Sequence, residues 1–274
     1  MHKYFSFIPL VFFTIGFIQA QDFEVSPAYM NFEIDPGDSQ TRVLTIKNHS
    51  SFQTPFTISF ADFVIDSRGN KEMMKRNSSK NSCSEWITPE KTFFDINPGE
   101  QIEIKITMQA PEDDFNTRWA VMYIQTAQVQ SAFSVDNGVG AGIHLGGRIA
   151  VLVYRNALTG KKTDMSIKYL KEKSETDSLG RVFTAIVENS GNTIQKCKIT
   201  FIASDLNSGE EIEFEPQMIE SYPGFTREVK FVLPKTMPPG EYSLAVLLDP
   251  GANSVIKGTR LNETLVITEK EGNE

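Results

Sequence analysis

The sequence predicts an all-β chain of two tandem β-sandwiches, and three observations carry that expectation. Apolar and polar residues alternate with period two in segment after segment, as in Ile102, Ile104, Ile106 and Met108 against Glu103, Lys105 and Thr107. A turn hexapeptide recurs, Phe32-Glu33-Ile34-Asp35-Pro36-Gly37 and then Phe94-Asp95-Ile96-Asn97-Pro98-Gly99. An alternating strand that ends in Asn, Val43–Asn48, is echoed by Val182–Asn189.

Residues 1–20 read as an export signal. His2 and Lys3 form a short polar start, Phe5 to Phe17 an apolar stretch too short to span a bilayer securely, and Ala20 a small residue before a cut at Gln21. The alternative is an uncleaved anchor. No Cys follows the stretch, so a bacterial lipoprotein anchor has no support. Loss of the segment removes Lys3 and takes the net charge from −8 to −9. That acidic balance disfavours a general nucleic-acid binder, which needs clustered Lys and Arg against phosphate. No later run is apolar and long enough for a membrane helix.

In the opening stretch, Val25, Met30, Phe32 and Ile34 alternate with Asn31 and Glu33. Pro36 presets the first turn residue and Gly37 supplies φ > 0 for the next. Leu44 and Ile46 are the expected core face of the strand that follows, and either a hairpin or a sheet switch joins the two. Pro55–Asp66 is a strand with a bulge, and Lys71–Ser82, with Lys71, Lys75, Arg76 and Lys80, reads as a solvated basic loop. Trp119–Ala127 is a central strand. Gln128–Gly147, rich in Gly, is a long connection of the kind that is functional or mobile. Arg148–Tyr154, RIAVLVY, is the most continuously apolar strand. The expected division is residues 21–156 for the first sandwich, 157–163 for a linker and 164–274 for the second, with seven strand-like segments between Met165 and Thr268 and a charged tail, Glu269–Glu274.

Chemistry is sparse. The mature chain holds two histidines, His49 and His144, each in a loop-like segment without a Ser/Asp or Cys partner by motif. No H-E-x-x-H or paired-Cys metal motif occurs. Gly138, Gly140 and Gly142 lack the strand–helix setting of a dinucleotide site. No pair of acids stands out for glycoside hydrolysis, and Glu33, Glu103 and Glu213 fit solvent-facing strand positions. No enzyme activity, cofactor or metal is therefore expected. Cys83 and Cys197 fall in different sandwiches. Export permits a disulfide, and two unpaired residues are the alternative. Tyr29, Trp119 and Tyr123 fit either core packing or a surface patch.

Taken together, Val25-Ser26-Pro27 near the start, the strand ending in Asn, the long segment before the last strand and the closing Arg148–Tyr154 with Tyr154-Arg155-Asn156 resemble the N-terminal domain of PapD-like periplasmic chaperones, over residues 22–156. The chain is also similar to two-domain surface proteins that interact with WxL proteins, in its F-x-V-x-P, Pro-Gly turn and strand ending in Asn. The resemblance implies two immunoglobulin-like domains and a non-enzymatic chaperone or assembly adaptor in the periplasm or cell envelope, whose partner is an envelope or surface protein. Fimbrial chaperones hold a subunit's terminal carboxylate with two basic residues. The matching positions here hold Tyr29 or a neighbour, and Val151, so that anchoring does not carry over; Arg148 is a substitute or merely a charge at the strand start. Strand addition survives this departure. Arg148, Ile149, Val151 and Val153 are the expected partner-binding residues, set against the reading that they belong to an internal strand. A second reading is a scaffold that binds cell-wall polymer or a surface-layer protein through the Lys71–Lys80 loop or the interdomain cleft.

Overall fold

The computed structural model describes residues 22–127, 146–177, 180–251 and 255–268. The expected export segment, His144, most of the Gln128–Gly147 connection and the charged tail lie outside the described residues. Among these residues every regular element is a strand. The chain forms two immunoglobulin-like sandwiches in tandem.

In the first, β1 (Phe23–Ser26), β3 (Ser39–Asn48), β8 (Gln101–Gln109) and β6 (Ile87–Pro89) make one sheet in the order β1-β3-β8-β6. The second sheet runs β2 (Tyr29–Glu33), β10 (Arg148–Asn156), β9 (Arg118–Thr126), β4 (Thr54–Ile65), β5 (Lys71–Met74), and β7 (Phe93–Ile96) also pairs with β4. The opening stretch is therefore a sheet switch. β1 pairs antiparallel with β3, whereas β2 pairs parallel with β10. Pro27 stands at the crossing and has no N–H with which to continue the first ladder. Leu44, Ile46, Ile104 and Ile106 from one sheet meet Phe32, Phe56 and Val153 from the other in a fully buried core.

The second sandwich packs β11 (Met165–Asp177), β12 (Gly180–Asn189) and β16 (Thr226–Pro234) against β13 (Gln195–Asp205), β14 (Glu211–Glu213), β17 (Gly240–Asp249) and β18 (Lys257–Arg260). Two short strands, β15 (Gln217–Ser221) and β19 (Leu265–Ile267), pair with β13 and β17. Phe201 stacks on Phe231 at the centre, with ring centroids 5.1 Å apart.

The sequence echoes have a structural basis. Asn48, fully buried, donates its side-chain amide to the carbonyls of Phe52 (2.9 Å) and Ile96 (3.0 Å). Its Oδ1 accepts from the Ser50 N–H (3.0 Å) and hydroxyl (2.7 Å). Asn189 repeats the pattern, donating to Thr193 and Ser221 (both 2.9 Å) and accepting from the Gly191 N–H (3.0 Å). In each sandwich one asparagine ties its own loop to the strand that leads into a Pro-Gly turn. Gly99 and Gly224 sit there at φ 71° and 78°, which a glycine reaches without Cβ strain.

The Lys71–Ser82 segment is largely exposed, as its charge suggests, but it is more ordered than the loop expected. Its start is strand β5, and the remainder folds over Asp62. That carboxylate is fully buried and accepts from the Ser78 N–H (2.8 Å), the Ser79 N–H (2.9 Å) and the Ser82 hydroxyl (2.6 Å). Lys71 lies over the Tyr222 ring at 5.7 Å, and Arg76 over Phe60 at 5.5 Å. A single internal acceptor thus orders a segment whose composition reads as loop.

The sandwiches are joined by contacts on both sides of the connection. Asp35, in the first Pro-Gly turn, accepts from the N–H groups of Leu158 (2.9 Å) and Thr159 (2.8 Å) and from the Thr159 hydroxyl (2.9 Å). Asn192 of the second sandwich accepts from the Lys162 N–H (2.7 Å) and donates to the carbonyls of Gly160 and Phe115. Between them lies an aromatic joint. Trp119, fully buried, meets Tyr222 edge-on at 5.0 Å and Phe225 at 6.0 Å, and the hydroxyls of Tyr154 and Tyr222 are 3.1 Å apart. The main chains also touch, the Glu228 N–H donating to the Ser67 carbonyl at 2.7 Å.

The backbone N–H of Thr159, helped by the Thr159 hydroxyl and the Leu158 N–H, holds the Asp35 carboxyl below its usual value. A depressed folded-state pKa gives stability that is complete above the unfolded value of about 3.9 and is lost as pH falls through the lower folded one. The protection of the Leu158 and Thr159 amides, the ratio of intrinsic to observed exchange rate, should therefore hold down to mildly acidic pH and fall only below pH of about 4. Asp35→Asn should remove most of that pH dependence, as read by NMR.

Candidate partner-binding edge

The site is built on β10. Its register with β9 runs from Arg148↔Gln125 to Arg155↔Arg118, and that ladder continues outward, the Thr126 N–H donating to the Gly147 carbonyl. On its other side β10 meets β2 only from Leu152↔Tyr29 to Asn156↔Glu33. Arg148–Val151 thus has one paired side and one open side among the described residues. The open side continues the lane that β2 occupies further along.

The main-chain directions follow from the ladder. The Leu152 N–H donates to the Ala28 carbonyl, and the Asn156 carbonyl accepts from the Ile34 N–H, so even-numbered residues of β10 point their N–H and C=O groups towards β2. Gly147 points the opposite way, to β9. Because the groups alternate along a strand, the N–H and C=O of Arg148 and Ala150 face the open lane. Unpaired groups of this kind on an edge strand are a template for an added strand.

The side chains divide by the same alternation. Val151 and Val153 are fully buried and belong to the core of the first sandwich, and Ile149 packs half-buried against it. Of the four expected contact side chains, Val151 and Val153 are thus enclosed by their own sandwich, and their main-chain N–H and C=O groups turn towards β9 rather than the open lane. Period two shows that Ile149, Val151 and Val153 share a face; it does not show that the opposing sheet covers that face. Arg148 is exposed. Its Nε donates to Gln125 Oε1 at 2.8 Å, and its guanidinium lies 4.8 Å from the centre of the Tyr123 ring. On the outer face Tyr29, exposed, sits beside the half-buried Leu152.

Two neighbours fix the ends of this edge. Phe23 of β1 lies so close to Gly147 that a Cβ there would stand 2.8 Å from its ring. At the far end Arg155 is fully buried. Its Nη1 donates to the Asn116 carbonyl at 3.0 Å, and Asp114 lies 3.8 Å away. Burial lowers the guanidinium's affinity for its proton, and Asp114 opposes that effect. Among the described residues β1, in the other sheet, pairs only with β3, so both sheets offer an edge on this side of the sandwich.

The residues missed by sequence reasoning are Ala150 and the Pro27-Ala28 crossing. A small side chain gives no signal at Ala150, because what it presents to the open lane is main chain. The Ser26-Pro27 break in the first strand was the available clue, since β2 cannot pair with β10 before it crosses. Of the remaining candidates, His49 is paired with Glu24 at 3.1 Å, and Tyr29, Trp119 and Tyr123 divide into exposed, buried and half-buried. Cys83 and Cys197 are both buried and unbridged, one in each sandwich. Burial pushes the Cys83 thiol up and the Cys197 thiol up to about 11, so neither is a thiolate at neutral pH.

No protein-family model and no curated protein matches the chain. Several solved structures are similar to it. A chain from a chaperone–tip adhesin complex of CFA/I fimbriae biogenesis is 11% identical with a TM-score of 0.47, over 90% of this chain and 98% of that one. The class 5 fimbriae chaperone CfaA is 10% identical at 0.47, over 90% and 100%. The Escherichia coli chaperone DraB is 11% identical at 0.42, over 87% and 98%.

Proposed function

We propose that this chain is an exported, non-enzymatic protein-binding module. It acts as a chaperone or assembly adaptor for an envelope or surface protein, which adds a strand beside Arg148–Val151. The observation that carries this reading is the open main-chain lane at Arg148 and Ala150, upstream of the point where β2 takes over. Hydrogen bonds along that lane supply affinity, and alternate side chains of the incoming strand supply specificity. Those that turn inward meet Val25 and Ile149, the half-buried apolar residues between the two sheet edges, so apolar residues are favoured at every second position of the partner.

The test removes the donor and leaves the core alone. Ala150→Pro deletes an N–H that faces the lane and breaks no bond to β9, and proline is tolerated on strand edges. The variant should keep a cooperative unfolding transition near that of the parent and lose the partner recovered by crosslinking in the native envelope. Undiminished recovery would sink the strand-addition reading. Unlike this lane, the basic residues of the Lys71–Lys80 segment are partly engaged within the fold, Lys71 and Arg76 over aromatic rings and Arg76 also on the Ser84 carbonyl at 3.1 Å. That weighs against the scaffold reading based on this segment.

A further inference from the structure

The second sandwich has an edge of its own, and it is built differently. Among the described residues β11 pairs only with β12, and β18 only with β17, so one edge from each sheet comes to the same side of the domain. Between them is a groove of about 690 Å³, walled by residues 167–172 on one side and 258–263 on the other. Ile167 and Leu170, both buried, lie beneath it.

The β11 wall is irregular at one point. Lys168 is opposite Ile186 and Lys171 is opposite Thr184, so three steps along β11 match two along β12. This is a bulge, and Tyr169 within it takes φ 60°. A bulky residue in the left-handed region costs energy that a solvent-facing loop has no reason to retain, and such outliers concentrate at binding sites. The bulge turns Tyr169 outward, 61% exposed, at the wall of the groove.

The charges single out an occupant. Lys168 is paired with Glu188 at 2.7 Å and Glu172 with Arg181 at 2.6 Å. Two cations of the groove, Lys171 and Arg260, and one carboxylate, Glu263, take part in no ion pair among the described residues, which leaves the groove an excess of one positive charge; Lys171 rests 5.9 Å from the Tyr169 ring. In a chain of net charge −8, this local excess is the opposite of the overall field. Cations on an edge strand discourage pairing between copies of the same chain, and they favour an acidic strand over a basic one.

We infer that this groove is a second docking site, for an extended acidic segment of a partner protein. Its carboxylates meet Lys171 and Arg260, and its main chain runs along the β11 and β18 edges with Tyr169 against its apolar side. The site is independent of the β10 edge. The test uses the full chain without its export segment, labelled for backbone NMR, and titrates the peptide acetyl-Thr-Glu-Val-Glu-Val-Glu-Thr-amide and its counterpart with Lys in place of Glu. The acidic peptide should give saturable shifts at 167–172 and 258–261, with at least tenfold weaker binding of the basic one. K171E/R260E, both exposed changes, should reverse that preference. Absence of saturable shifts in the groove with either peptide, equal binding of both, or shifts confined to Arg148–Val151 would each overturn the proposal.

Discussion

Val151→Asp is expected to abolish the folded state of the first sandwich. Val151 is fully buried between the sheets, in a core of Phe, Ile, Leu and Met side chains. The substitution removes about 1.5–3 kcal/mol of apolar burial. It also places a carboxylate where it must either stay charged without a partner or take up a proton and remain unsatisfied. The combined cost is about 5 kcal/mol or more, comparable with the whole stability of an ordinary domain. Urea unfolding followed by the fluorescence of Trp86 and Trp119, both in the first sandwich, should show no native baseline for the variant. The neighbouring Ala150→Asp is the control. That side chain is exposed, and the change should cost less than about 1 kcal/mol. Similar losses at both positions would mean that β10 is not seated as described.

The second large effect is expected at Asn48. Asn48→Ala leaves the Phe52 and Ile96 carbonyls without their donor and the Ser50 hydroxyl and N–H without their acceptor, at a buried position. Unsatisfied buried groups cost about 1–3 kcal/mol each, part of which relaxation and solvent recover, so a loss of about 3 kcal/mol is expected. Asn189→Ala should do the same to the second sandwich and leave the first nearly unchanged. Hydrogen exchange resolved by segment distinguishes the two, since each variant should raise exchange in its own half. An equal rise in both halves from either variant would show that the sandwiches unfold as one unit.

Much of this architecture was legible in the residues, for physical reasons that differ from element to element. β8 could be read outright, because Ile102 to Met108 alternate without interruption and one face is solvated. The asparagines at the ends of β3 and β12 were visible as an echo before their role as buried cross-links was known. What escaped was everything that depends on which neighbour an element finds. Period two grouped Ile149, Val151 and Val153, yet only the opposing sheet determines that they face inward. The sheet switch at Pro27 is a fact about pairing partners. Asp62 looked like one more acid in a strand, and only the fold brings Ser78, Ser79 and Ser82 to it. The bulge at Tyr169 left no mark at all, since a tyrosine with positive φ breaks the local preference that sequence reading relies on. The proposed partner edge is half legible: the apolar pattern singles out its strand, but the groups proposed to act there are main-chain ones, which every residue carries.

The pinned connection between the sandwiches has a consequence for avidity. Asp35 and Asn192 hold it from opposite sides, and the aromatic joint closes the gap between them. The loss of hinge freedom is therefore incurred once, during folding, and not again at each encounter. A partner that engages the first sandwich meets the second at a set distance and angle. Its second contact then forms as an intramolecular step, at an effective concentration fixed by geometry and not by the partner's abundance. If the two proposed edges each bind weakly, such a bracket would hold one long partner firmly and release it in stages as either edge lets go.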